Sequence, residues 1–475
     1  MLFLDDLIDL VEELDLESSL DLAAVIGGFL FYNEAPVFDL SRVESYLTEK
    51  CLEEIDFKVN SLSSKSNALF VVTEPYMTGG HTRLMENLGL MLDTKSDLLI
   101  TRSSCNSVKQ RLEKIFNEII EIYRNSTKNN SNHIIELANE ISKYENVILN
   151  IHPDDIFTVI ACAVAKSFNK NIKVFFVNHA DHVFSYGATV ADFWFEISLY
   201  GRSLDKLRNL KGNKSFIGIP INKPEADFFR NIKYPTLDKI FNCTTAGSDN
   251  KYKPSNGHSI IPLVNKILES NTSVTVHVIG ASLITNYWWW WSKIKFFNKL
   301  EIDKSLPYLD YIEVTKNADL YIDSHPMPGG TAFVEQFIQG NPCVGLKSGF
   351  FGYTPLEIIK KDNVEQVFDL LLNPPAMDEI NKIQKLNFEV HGFSQVKKRF
   401  RDVIYNGEVH SNPMSDFIAS NEQRCFNYKK LIVSKDLFKL IYKHDKKKFI
   451  ILFLRASIKS KLKLIISILL RRETT

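Results

Sequence analysis

The residues best able to do chemistry follow an apolar, β-branched run: residues 172–177 read IKVFFV, and Asn178, His179, Ala180, Asp181 and His182 come directly after it. An imidazole near its ordinary pKa of about 6.5 takes a proton from a hydroxyl group at neutral pH. His179 is the first choice for such a general base. Asp181 or His182 either orients it or takes that part itself, since consecutive residues point in different directions. A hydrogen-bonded turn of purely structural purpose would use the same residues. Asp192, in a segment with Trp194 and Glu196, is a weaker candidate for substrate contacts. No third ligand stands at a spacing suited to zinc, so no metal site is expected.

A second constellation suits anions. In residues 318–346 a strand ends at Asp323, a turn with Pro326, Pro328, Gly329 and Gly330 follows, and Thr331 stands where a helix would begin. Glycines let backbone N–H groups approach an anion, and a helix N-terminus adds donors with partial positive charge. Glu335, one turn further in, can accept both hydroxyls of a ribose. Lys251 and Lys253, in the loop after an earlier strand of the same half, bring ammonium point charges to phosphate. In the first half, Gly79 and Gly80 follow a strand, with His81 and Arg83 at the start of a helix. The glycine turn, the helix start and Glu335 together describe a site for a nucleoside diphosphate. The plain alternatives are connecting turns, a helix cap and solvated lysines.

Positioning these residues requires strands whose carboxyl ends meet. Short apolar runs at 68–73, 97–101, 146–151 and 172–177 alternate with helical segments such as 107–124 and 155–167, the pattern of parallel βαβ units. After a proline-bearing linker at 220–237 a second series follows: strands 239–245, 273–279, 318–323 and 342–346, with helices 259–270 and 331–339. The expected fold class is α/β, with two Rossmann-like doubly wound domains and a basic helical tail. The divisions are 1–60, acidic and helical; 61–230, the first doubly wound domain; 236–395, the second; 396–430, helices returning toward the first; and 431–475, the tail. A cleft between two such domains is where open sheets place ligands.

The chain of 475 residues is too long for one small module, and 45% hydrophobic content supports a large core. Lys+Arg and Asp+Glu balance at 57 each, which gives no argument for a nucleic-acid partner. The charge is unevenly spread: residues 1–60 hold 15 acidic and 3 basic side chains, residues 435–475 hold 12 basic and 3 acidic. The 6 cysteines are scattered, with no CxxC pair, which favours a reducing cytoplasm. The acidic start is the wrong charge for a signal peptide, and the apolar runs fall short of the about 20 residues that span a bilayer. In the tail, Ile451, Leu454, Ile458, Leu462, Ile465 and Leu469 form one stripe of a helix flanked by lysines and arginines, which predicts attachment to an anionic membrane surface. A packed helix with a solvated face, or a partner-binding helix, is the alternative. Trp288 to Trp291 hold 4 of the 5 tryptophans and cannot all be buried on one face.

At this point the residues resemble a family. The turn Gly329-Gly330-Thr331 with Glu335, and Lys251 three residues before Pro254, are similar to the donor domain of GT-B glycosyltransferases of the O-linked GlcNAc transferase type and its bacterial relatives. The resemblance covers about residues 235–350 well and the first domain in general plan. It implies that Lys251, Gly330 and Thr331 contact phosphate, that Glu335 holds the ribose, that Gly79 and Gly80 face the donor across the cleft and make room for the sugar or its phosphate, and that His81 and Arg83 meet anionic oxygens. Many retaining members carry a glutamate eight residues before the ribose-binding one; here that position is Met327, and the stereochemical course stays open. The implied activity is metal-independent transfer of a sugar, with no cofactor beyond the nucleotide-sugar substrate, to a saccharide or glycolipid acceptor. It would act at the inner face of a bacterial cell membrane, in surface polysaccharide or glycolipid synthesis. A nucleotide-sugar epimerase of the same fold, or a non-catalytic nucleotide-sugar-binding scaffold, would use the same phosphate site.

Overall fold

The computed structural model describes residues 2–57, 65–77, 79–125, 129–349, 352–414 and 430–472. The first half forms a seven-stranded sheet of β1 (Leu69–Val72), β2 (Asp97–Ile100), β3 (Ile119–Glu121), β4 (Asn146–Asn150), β5 (Lys173–Val177), β6 (Phe193–Glu196) and β7 (Asn213–Phe216), in the order β3-β2-β1-β4-β5-β6-β7. The second half forms a five-stranded sheet of β8 (Asn242–Ala246), β9 (Thr275–Ile279), β10 (Leu300–Asp303), β11 (Leu320–Ile322) and β12 (Cys343–Val344), in the order β10-β9-β8-β11-β12. Every strand pairing in both sheets is parallel.

Parallel strands covered on both faces need apolar residues at every position, and β1 and β2 are buried throughout. Successive side chains go to opposite faces. Leu69, Val71, Val147 and Leu149 join one core, whereas Phe70, Val72 and Ile148 join the other. The first core also takes in the acidic N-terminal helices, through Leu20, Ile26 and Leu47, and the tail, through Leu437, Phe438 and Ile441. Neither end of the chain is therefore a separate body. On the other face, helix Phe393–Arg401 returns from the second half and buries Val396 and Phe400. The second half has its own core, to which the linker contributes Phe228 and Ile232.

Three expectations are corrected. The helix expected over 107–124 ends at Leu112, and Ile119–Glu121 pairs with β2 as an edge strand, where the β-branched pair Ile119 and Ile120 packs better than in a helix. β6, β7 and β10 have no counterpart in the expected series: charged and polar residues interrupt β7 and β10, and the apolar run of β6 is three aromatic residues between Asp192 and Glu196. The tail stripe does not run along one helix: Lys446–Arg455 and Ile458–Arg472 are separated at Ala456, whose backbone bridges Leu431. Ile451, Leu454, Ile458, Leu462 and Ile465 are nonetheless all exposed, while Leu452 and Leu464 face inward. The Leu469 side chain lies outside the described residues. Among the described residues, no helix is long and apolar enough to cross a membrane.

Candidate active site

Strand order reverses between β1 and β4 in the first sheet and between β8 and β11 in the second. Loops leaving the carboxyl ends at such points diverge and open a crevice. In the second domain, the loop after β8 carries Lys251 and the loop after β11 carries the glycine turn. The Lys251 ammonium donates to the Pro328 carbonyl at 2.8 Å, which seats it against the turn. Burial, reinforced by Lys360, lowers the Lys251 pKa, so an incoming anion would favour its charged form. Gly329 donates its N–H to Asp323 Oδ1 at 2.8 Å, and a Cβ at Gly329 would stand 2.4 Å from that oxygen. Gly330 has φ 53° and ψ −111°, a backbone that L side chains rarely adopt, and a Cβ there would meet only open space. Helix Thr331–Ile338 starts immediately beyond and directs its positive end to the cleft.

Across the gap, the first domain presents histidines from three strand ends. His81 follows the loop after β1, His152 ends β4's run, and His179 ends that of β5. The His81 ring lies 5.1 Å from His179 and 5.6 Å from His152, centroid to centroid. Burial, with His152 adding to it, pulls the His81 pKa down to about 4. Burial, then the charges of His81 and His152, puts that of His179 well below the ordinary value. These rings are neutral at pH 7 and able to accept a proton. His179 Nδ1 is buried without a hydrogen-bond partner.

Asp181 does not orient His179. Its carboxylate accepts from the Ser198 hydroxyl and from the Tyr353 hydroxyl at 2.9 Å, and its nearest imidazole is His182, with Nδ1 at 3.8 Å. His182 is thus the imidazole with a carboxylate behind it, whereas His179 is held by packing. Tyr353 comes from the second domain, so this bond also joins the two halves, as does Leu199 N–H to Gly352 O at 2.8 Å.

A chain of buried charges continues from there. Glu357 accepts from the Gly352 and Tyr353 N–H groups, and its carboxylate lies 3.9 Å from the Lys360 ammonium. Lys360 pairs with Asp323 Oδ2 at 2.8 Å, with side-chain exposures of 3% and 2%. Burial opposes the charge on Lys360, but Asp323 and Glu357 outweigh it and its pKa is raised. One ammonium therefore ties the carboxylate behind Gly329 to the segment that grips Asp181.

A cavity of about 290 Å³ joins the two sides, lined by Gly80, His81, His179, Asp181, His182, Lys251, Gly329, Gly330, Thr331 and Tyr353, among others. No protein-family model matches the sequence, and no curated protein matches it. Solved structures do match. HepE from Anabaena in complex with UDP superposes with a TM-score of 0.51 at 10% identity, covering 71% of this chain and 99% of that one. HepE in complex with UDP and glucose gives 0.50 at 10% identity, over 71% and 99%. TarM gives 0.51 at 10% identity, over 72% and 99%. The chain has the GT-B fold.

The GT-B cleft brings most of the expected residues together, with exceptions. Gly79, at φ 141°, stands beside the cavity, not among its lining residues. Lys253 is exposed and does not line it. Glu335, half-buried one helical turn in, and Arg83 do not line the cavity; burial raises the Glu335 pKa, while the charges of Arg83 and Lys223 oppose that rise. Asp192 lies at the wrong end of the sheet: it precedes β6, pairs with Lys166 at 2.7 Å and accepts the Val174 N–H. Sequence reasoning missed His152, Tyr353 and Lys360. His152 was findable, since it ends the run 146–151 as His179 ends 172–177. Nothing local marks Tyr353 or Lys360. Among the described residues the one group of three whose potential metal-ligand atoms converge is Asp402, Glu408 and His410, which is not part of this cavity.

Proposed function

We propose that this protein is a glycosyltransferase that moves a sugar from a nucleotide-sugar donor to a hydroxyl of a saccharide acceptor, one carried on a lipid. The observation that carries the reading is that Lys251 and Gly329–Gly330–Thr331 meet at one end of a cavity whose other end holds His81, His179 and His182. The diphosphate sits against Lys251 and the first turn of helix Thr331–Ile338, with Glu335 on the ribose hydroxyls. His179, or His182 backed by Asp181, takes the acceptor hydroxyl's proton. The acceptor oxygen bonds to the anomeric carbon, and the bond from that carbon to the diphosphate oxygen breaks with inversion. The electron pair leaves on the diphosphate, whose charge is met by the ammonium, the backbone donors and the helix dipole. This chemistry assigns no step to a metal.

Titrating a panel of nucleoside diphosphates by calorimetry tests the donor site. We expect one of them to bind, and Glu335→Ala to weaken it about 10- to 100-fold, the loss of a charged hydrogen bond of about 1.5–3 kcal/mol. A panel without a binder, or equal affinity in the variant, would remove the reading.

A lipid-carried acceptor fits an enzyme held on an anionic bilayer by its tail. There Ile458 is 77% exposed and Leu454 69%, between Lys446, Lys447 and Lys448 on one side and Lys459, Lys461 and Lys463 on the other. Deleting the tail would uncover Leu437, Phe438 and Ile441, so substitution of exposed positions is the cleaner test. Leu454→Asp/Ile458→Asp should leave the melting temperature unchanged and release the protein from phosphatidylglycerol vesicles in a sedimentation assay. Retention of the variant would rule out the anchor.

A further inference from the structure

The tryptophan run is divided sharply by the fold. Tyr287–Trp289 forms a tight turn that leads into helix Trp290–Lys295. Trp289 is fully buried, its ring 6.0 Å from that of Tyr252 in the second domain's core. Outside, Trp290 is 54% exposed, Trp291 74%, Tyr287 68%, Ile294 71% and Phe297 70%, with Ile284 at 92% beside them. Within the helix Trp290, Trp291 and Ile294 share one side at three- and four-residue spacing, with exposed Tyr287 in the turn before it and exposed Phe297 just after its end. So large a cluster of exposed aromatic and aliphatic side chains marks a contact surface. None of these residues lines the cavity, and the segment lies between β9 and the edge strand β10.

The charge around this cluster selects what it meets. From residue 283 to residue 299 there is no Asp or Glu, and there are three lysines, Lys293, Lys295 and Lys299. Lys295 pairs with Glu269, while Lys293 folds back on the Phe297 and Leu300 carbonyls and Lys299 on those of Leu268 and Asn271, so these two bring positive charge to the border of the apolar face without interrupting it. A second copy docking through the same face would set like charges against each other. An anionic bilayer offers the opposite charge at the headgroups, a home for amphipathic indole rings just below them and acyl chains for Ile294 and Phe297. We infer that the exposed face of Trp290, Trp291, Ile294 and Phe297 is a second membrane-contact surface, inserted at the headgroup level of an anionic bilayer. The inference extends the membrane attachment proposed for the tail, and a single weak anchor gives only marginal binding where two give stable attachment.

The test uses the full chain with vesicles of phosphatidylglycerol and phosphatidylcholine carrying brominated acyl chains, which quench tryptophan emission at close range. Vesicle-bound wild-type protein should be quenched. Trp290→Phe/Trp291→Phe should bind within about threefold of wild type while losing most of the quenching, and Trp290→Ser/Trp291→Ser should bind at least tenfold more weakly. Unquenched bound protein, or a serine pair that binds as wild type does, overturns the inference. So does a wild-type dimer in sedimentation without vesicles that the serine pair abolishes while vesicle binding stays unchanged. The tail reading fails separately: Leu454→Asp/Ile458→Asp binding as wild type with quenching intact would sink the tail and leave this surface standing. Loss of vesicle binding in that tail variant alone, with the serine pair unaffected, would do the reverse.

Discussion

His179→Ala should lower the rate of sugar transfer by about 10²- to 10⁴-fold, the usual contribution of a general base, with nucleoside diphosphate affinity within a few-fold of wild type. The affinity is spared because Lys251, Gly330 and Thr331 belong to the other domain and do not depend on the imidazole. The pH profile supplies an independent readout. Burial together with His81 and His152 holds the His179 pKa well below 6.5, so the catalytically competent neutral form persists as pH falls through 6.5. The acid limb of kcat should accordingly lie below 6.5, and not at it. A His182→Ala variant separates the two imidazoles: if it loses transfer while His179→Ala keeps it, the base is the residue paired with Asp181. Near-wild-type turnover in both variants would remove histidine catalysis from the reading.

Lys360→Met should cost about 3–5 kcal/mol of stability, because it leaves the Asp323 carboxylate buried without its cation. Denaturant unfolding measures the loss. The effect on the site should exceed that of a general softening, since Asp323 Oδ1 is the acceptor that fixes the Gly329 N–H in the glycine turn proposed to hold the diphosphate. Adding Asp323→Asn to Lys360→Met removes the stranded charge and should recover part of the stability, as expected for groups in direct contact. A single variant as stable as wild type, or a double variant that loses the full sum of the two, would show that the ion pair does not hold the turn.

The two doubly wound domains were readable from periodicity because parallel strands buried on both faces need continuous apolar runs. β1, β4 and β5 announce themselves in this way. Strands with charged or polar residues in the pairing, such as β7 (Asn213–Phe216) and β10 (Leu300–Asp303), do not. Loop chemistry was equally local: a glycine turn ahead of a helix, or a histidine after an apolar run, is visible in a dozen consecutive residues. His152 met the same rule. Lys253 and Asp192 satisfied residue-type reasoning and failed on direction, one pointing to solvent and the other lying at the amino end of its strand.

By itself, then, the amino-acid sequence determined the α/β class, the two-domain plan, the glycine turn ahead of a helix after β11 and the opposite charges of the two ends. All of these follow from neighbours in the chain, through alternation, turn-forming residues and helix starts. Only the tertiary structure decided that Asp181 serves Tyr353 and His182 and not His179, that Lys360 braces the turn through Asp323, and that Trp289 is buried while Trp291 is not. Each of those outcomes depends on which groups from distant segments share a desolvated space, where an unpaired charge is costly and the partner 37 or 172 residues away in the chain sets the arrangement.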